Sequence, residues 1–126
     1  MMIKNDTEVE NKKRLLAGVA TSPYAPLEKD IQRAICAVLA SKGYFFWRSN
    51  NATSFKGRST NKAFTPDGIP DIIVIHRGLF VALEVKRPGA QLRPSQVDFK
   101  NKLNYHGGFY YVVTSTKELD SIPELL

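Results

Sequence analysis

The sequence predicts an α/β fold, a small mixed β-sheet flanked by helices, and three observations carry that expectation. A β-branched run, Asp71 to Ile75, is followed across Arg77-Gly78 by a second apolar run, Leu79 to Lys86, which reads as a hairpin. A helical pattern from Pro94 to Tyr105 then leads to another strand-like run, Phe109 to Thr114. A helix between two strands implies a parallel return by a right-handed crossover. Upstream, Leu27, Ile31, Ala34, Ile35 and Val38 recur at helical spacing between Pro26 and Lys42, an apolar stripe that must lie against something.

Residues 1–23 mix charges without a strong period and are assigned to an N-terminal arm or extra helix, and residues 24–126 to a single domain. Pro23 and Pro26 punctuate the entry into the first helix, and Gly43 stops it. Tyr44 to Arg48 is aromatic and extended, with Phe45, Phe46 and Trp47 expected in the core rather than as base-stacking platforms. Pro88-Gly89 ends the hairpin. In the second helix Val97, Phe99 and Leu103 are the apolar positions, with Lys100 and Lys102 toward water, and Gly107-Gly108 closes it. A short helix from Ser115 to Leu119 follows the last strand.

With 126 residues and 14.1 kDa the chain can bury roughly two-thirds of its unfolded surface, enough for one core but not two. No apolar run approaches the roughly 20 residues of a membrane span, and the start lacks an apolar signal core, so no membrane association and a cytoplasmic location are expected. The single Cys36 excludes an internal disulfide framework; it is placed opposite the apolar stripe. His76 and His106 lie near turns and read as surface residues, which argues against a histidine-based nucleophile system.

Eighteen Lys and Arg against 12 Asp and Glu give a net charge of +6, which favours a polyanionic partner such as nucleic acid. The excess lies in the first half, where residues 1–66 hold 11 basic and 5 acidic residues while residues 67–126 hold 7 of each. Arg48, Asn50, Lys56, Arg58 and Lys62 fall in a polar stretch, Gly43 to Pro66, that contains no acid and could grip phosphates; a solvated loop without a task is the alternative. Lys86, Arg87, Arg93, Lys100 and Lys102 form a second basic group.

Between the two basic groups lie acids that the strand pattern brings together. Asp71 opens one strand and Glu84-Val85-Lys86 closes its neighbour, with Glu84 and Lys86 on one face and Val85 on the other. Two carboxylates packed side by side repel unless a proton or a cation lies between them, and a hard cation such as Mg²⁺ or Mn²⁺ suits oxygen ligands. The plainer reading makes Asp71 a turn cap and Glu84–Lys86 an exposed pair worth about 0–1 kcal/mol. It fits poorly with strands apolar enough to be central.

Gly68-Ile69-Pro70-Asp71, twelve intervening residues and then Glu84-Val85-Lys86 resemble the PD-(D/E)xK nuclease motif. With Glu28 at the start of the first helix and Gln96 downstream, the pattern resembles the virus-type replication-repair nuclease domain, VRR-Nuc, over about Ala25 to Thr114. The resemblance implies a restriction-endonuclease-like core and a metal-dependent phosphodiesterase in which Glu28, Asp71, Glu84 and the Val85 carbonyl surround Mg²⁺ or Mn²⁺. Lys86 would sit beside the attacking water, charged, and the Gln96 amide would hold that water or Lys86. In-line attack on DNA would leave a 5′-phosphate and a 3′-hydroxyl. Arg48, Asn50, Lys56, Arg58, Lys62, Arg87 and Arg93 are the expected nucleic-acid contacts.

No separate DNA-binding domain is expected in so short a chain, and a two-fold homodimer is the economical way to enlarge the footprint. The expected substrate is branched DNA, a four-way (Holliday) junction first, in a bacterial or phage-infected cytoplasm. A monomeric flap or nicking nuclease, or a binding module without chemistry, are the alternatives.

Overall fold

The computed structural model describes residues 26–49 and 64–126. The arm assigned to residues 1–23, together with Asn50, Lys56, Arg58 and Lys62, lies outside the described residues. Within them the chain runs α1 (Glu28–Ser41), β1 (Phe45–Arg48), β2 (Ile72–His76), β3 (Leu79–Val85), α2 (Pro94–Tyr105) and β4 (Phe109–Val113), then two 3-10 turns, Thr116–Ser121 and Pro123–Leu125. The strands form one four-stranded sheet in the order β1-β2-β3-β4. The first three are antiparallel neighbours, and β4 returns parallel to β3, as the intervening helix requires. The terminal segment is 3-10 rather than α-helical, too short to repeat an i to i+4 ladder.

The β2–β3 hairpin turns on two residues in the left-handed region, Arg77 (φ 53°) and Gly78 (φ 81°), the twist that a two-residue connection needs. His76 therefore faces Leu79, and every later pair follows, down to Ile72 with Leu83. Because side chains alternate, the sheet has two unlike faces. On one, Ile72, Val74, Val81, Leu83, Val85 and Val113 pack against Ile31, Ile35 and Leu39 of α1 and Leu119, Ile122 and Leu125 of the C-terminal turns. Each such fully buried aliphatic contributes roughly 1.5–3 kcal/mol. The other face holds a smaller cluster, Ile73, Ala82 and Tyr110, with Phe99 and Leu103 of α2 beside it.

Several expectations about these faces are corrected. The buried stripe of α1 is Ile31, Ile35 and Leu39, with Leu27 and Ala34 turned outward. Cys36 consequently flanks the stripe and packs half-buried against the core, instead of lying opposite it. Of the three aromatics in β1 only Phe46 packs inward, while Phe45 and Trp47 are 68% and 43% exposed. They lie on the α2 side of the sheet, opposite Ile75 and Ile73, but β1 is the edge strand. Val97 of α2 is exposed too, and His76 is half-buried edge-on against Tyr44.

Candidate active site

The sheet end at which β1, β3 and β4 finish and β2 begins gathers the candidate residues. One step beyond the Ile72–Leu83 pair, the register sets Asp71 opposite Glu84, and both belong to the α2 face. Asp71, Glu84, Lys86 and Gln96 are the buried polar side chains among the described residues. Charged groups survive burial when they are paired or bonded, so each one's partners decide what it can do.

Asp71 is held from several directions. Its Oδ2 accepts the Val85 N–H at 2.8 Å, and its carbonyl accepts the Ser49 N–H at 2.9 Å. The Ser49 hydroxyl donates to the carbonyl of Pro70. Gly68, at φ 74°, lets this segment press on the first turn of α2: a Cβ there would stand 2.2 Å from the Ser95 carbonyl oxygen. The loop before β2 and the start of α2 are thus fitted backbone to backbone.

Glu84 is the most constrained of the four. Its Oε2 accepts the Gln96 side-chain N–H at 2.9 Å and lies 4.0 Å from Lys86 Nζ. Its Oε1 is buried and takes no N–H from the described residues, and the carboxyl faces Asp71. Burial first, and then the negative charge of Asp71, push its pKa up to about 8; Lys86 opposes this, while a shared proton with Asp71 and the charge of Glu28 add to it. Ionising Glu84 beside Asp71 is therefore costly.

The Gln96 amide N–H donates to the Glu84 carboxylate, and its other end, Oε1, accepts the Arg93 N–H at 2.8 Å as a reverse cap on α2. Pro94 at the first helical position and the Gly68 contact hold that turn in place.

Glu28 is exposed at the first turn of α1, within electrostatic reach of Glu84. Among the described residues no three His, Cys, Asp or Glu side chains are grouped closely enough to hold one metal ion, so Asp71 and Glu84 meet without Glu28. Arg87 directly follows Lys86, and Arg93 is the N-cap of α2, three residues before Gln96. Arg48 is directed elsewhere: it pairs with Ile72 on the α1 face, where its charge lowers the pKa of Cys36 against the stronger, opposite effect of burial.

Two further residues bear on the site without a signal in the sequence. Ser49 ties the end of β1 to Pro70 and Asp71. Tyr110, opposite Ala82 in β4, is on the carboxyl face, and its hydroxyl is raised by burial and by the charges of Glu84 and Asp71. Neither residue type is diagnostic, and both positions depend on strand register.

The oxygen donors present are of the kind a hard divalent cation takes. Two carboxyls converge on one face, one buried oxygen has no donor, and the pair resists joint ionisation, which a cation between them would relieve.

Fold and site together define a mixed α/β protein with an acidic centre at one end of its sheet. Comparison with solved structures places it more narrowly. One, described as "VRR_NUC domain", is 25% identical, with a TM-score of 0.56, covering 77% of this chain and 94% of that one. Another, "VRR_NUC domain protein", is 19% identical, with a TM-score of 0.60 and coverage of 76% and 84%. No family model matches the sequence, and no curated protein does. The chain has the four-stranded mixed sheet and flanking helices of VRR_NUC domain structures, a PD-(D/E)xK-like fold that implies a nuclease-type function. No described helix is long and apolar enough to cross a membrane.

Proposed function

We propose that the chain is a divalent-cation-dependent DNA endonuclease that acts on four-way junctions as a homodimer. The observation that carries the reading is the opposition of Asp71 and Glu84 on one buried face, with Glu84 Oε1 lacking a donor. Asp71, Glu84 and the Val85 carbonyl would hold Mg²⁺ or Mn²⁺, with Glu28 adding negative charge within electrostatic reach of Glu84. When bound, the cation supplies charge against the phosphate and lowers the pKa of a coordinated water.

The chain's own residues do the rest. Lys86 Nζ, beside Glu84, orients the attacking water and offsets charge growing on the phosphoryl oxygens. Gln96 keeps Glu84 aimed while Arg87 and Arg93 take flanking phosphates. Water adds to phosphorus in line, the bond to the 3′ oxygen breaks, and a 5′-phosphate and a 3′-hydroxyl result. Edge strand β1, with Phe45 and Trp47 exposed side by side at 5.9 Å between ring centroids, is the surface a second copy would cover.

Cleavage of four-way junction, flap, linear duplex and single-stranded DNA in Mg²⁺ and in Mn²⁺ tests the proposal. Preferred junction cutting is expected, lost without cation and lost in Asp71→Ala, Glu84→Ala and Lys86→Ala while junction binding persists. Equal rates on duplex and junction would remove the junction specificity, and full activity in either carboxylate variant would remove the metal site.

A further inference from the structure

The β2–β3 turn holds the one residue other than glycine with a positive φ among the described residues, Arg77 at 53°. A two-residue turn of this kind favours Asn-Gly or Gly-Gly, because a Cβ in the left-handed region crowds the backbone. Turn geometry therefore gives no reason for an arginine, and the side chain is exposed and belongs to neither core cluster. Its charge is not neutralised either. Lys42, at the end of α1, pairs with Asp120 at 3.3 Å, and Lys102, in the last turn of α2, pairs with Asp98 at 3.0 Å. Arg77 has no acid partner among the described residues. The hairpin also extends past β1, which begins at Phe45 opposite Ile75, so Arg77 lies outside the edge that a second copy would cover.

We propose that Arg77 is a further nucleic-acid contact, its guanidinium taking a backbone phosphate of a duplex arm at the end of the sheet opposite the carboxyls. A guanidinium suits this task because its planar fork bonds two phosphate oxygens at once and its charge is permanent. Arg77 follows Asp71 by six residues, nearly all of them strand β2, a span of about 20 Å. Duplex DNA advances about 3.4 Å per nucleotide along one strand, so an arm cut at the carboxyls and lying along β2 meets Arg77 about six nucleotides away. A residue held in a disfavoured conformation at an exposed tip then trades some stability for binding. The distance rests on the nuclease reading, but the contact itself needs no cation.

The test combines thermal unfolding with cation-free binding of a four-way junction across a range of salt. Arg77→Asn, which supplies the favoured Asn-Gly pair, should raise the melting temperature and weaken binding about 10-fold at low salt. It should also reduce the slope of log affinity against log salt by about one, whereas Arg77→Lys should keep the slope. Junctions in which a neutral methylphosphonate replaces one phosphate at a time along an arm then locate the contact. The linkage about six nucleotides from the cut should weaken the parent and leave Arg77→Asn unaffected. Parental affinity and slope in Arg77→Asn would overturn the contact, as would linkage and side-chain effects that add at every position. A lower melting temperature in Arg77→Asn would overturn it too, since the arginine would then serve the turn. A parent that cuts no substrate in Mg²⁺ or Mn²⁺, while Arg77→Asn still reduces the slope, would remove the nuclease reading and keep the contact.

Discussion

The Gln96 side chain donates to Glu84 Oε2 at 2.9 Å while accepting the Arg93 N–H at 2.8 Å, so one amide joins the first turn of α2 to the buried carboxylate of β3. A glutamine is suited to this because it offers an acceptor and a donor at once; glutamate would bring a third negative charge. Gln96→Leu should unpair both partners, lowering stability by about 1–3 kcal/mol and cleavage by about 10- to 100-fold. Gln96→Glu should lose more activity than Gln96→Leu at low Mg²⁺. Rates under rising Mg²⁺ check both, and parental kinetics in Gln96→Leu would show that Glu84 orients itself.

Glu84 makes the metal-free protein sensitive to pH. Its folded pKa, about 8, is above its ordinary 4.5, so its stabilising contribution is complete below about 4.5 and is lost as pH rises through 8. The melting temperature should therefore fall between pH 5 and pH 9. Glu84→Gln should flatten the profile, and Mg²⁺ should stabilise the parent most at the alkaline end, where no proton competes. Differential scanning calorimetry across that range, with and without Mg²⁺, is the measurement. Parallel profiles for parent and variant would mean that Glu84 ionises without penalty.

Gly68 sets the seam between the Asp71 segment and α2. Gly68→Ala must displace the Ser95 carbonyl and also hold alanine at φ 74°, a combination costing about 1–3 kcal/mol or more. Cleavage should fall further than stability alone explains, because Asp71 and Gln96 move apart. Activity measured well below the variant's melting temperature separates the two effects. Gly78→Ala, with open space around its Cβ, is the control for positive φ alone.

The edge strand bears on assembly. Trp47→Lys should shift sedimentation from dimer to monomer and reduce paired cuts on opposing strands of a junction, while single nicks continue. Core stability should change little, since Trp47 is 43% exposed. An unchanged dimer would move the interface elsewhere.

Much of the fold was legible because it depends on local patterns. The β-branched run, Arg77-Gly78 and the Pro94 helix specify a hairpin and a crossover from neighbouring residues alone, and Glu84 and Lys86 share a face by strand alternation. The aromatics of β1 were misread because their composition suggests burial, whereas exposure depends on which strand is the edge and how far α2 reaches. Counting Leu27 and Ala34 in the stripe rotates the inferred face of α1 and sets Cys36 opposite it, whereas the core buries Ile31, Ile35 and Leu39. Gln96 was singled out, but not its partner, because the Gly68 contact that positions its helix joins segments far apart in sequence.

By itself the sequence determined the order of elements, the opposed carboxyls and the lysine beside them, since hydrophobic period, turn residues and strand alternation act within a few residues of one another. Only the tertiary structure decided that Gln96 holds Glu84, that Tyr110 shares its face of the sheet, and that Phe45 and Trp47 stay uncovered. Those outcomes depend on strand register and helix placement, which are set by packing among distant segments and leave no mark on any single stretch of chain.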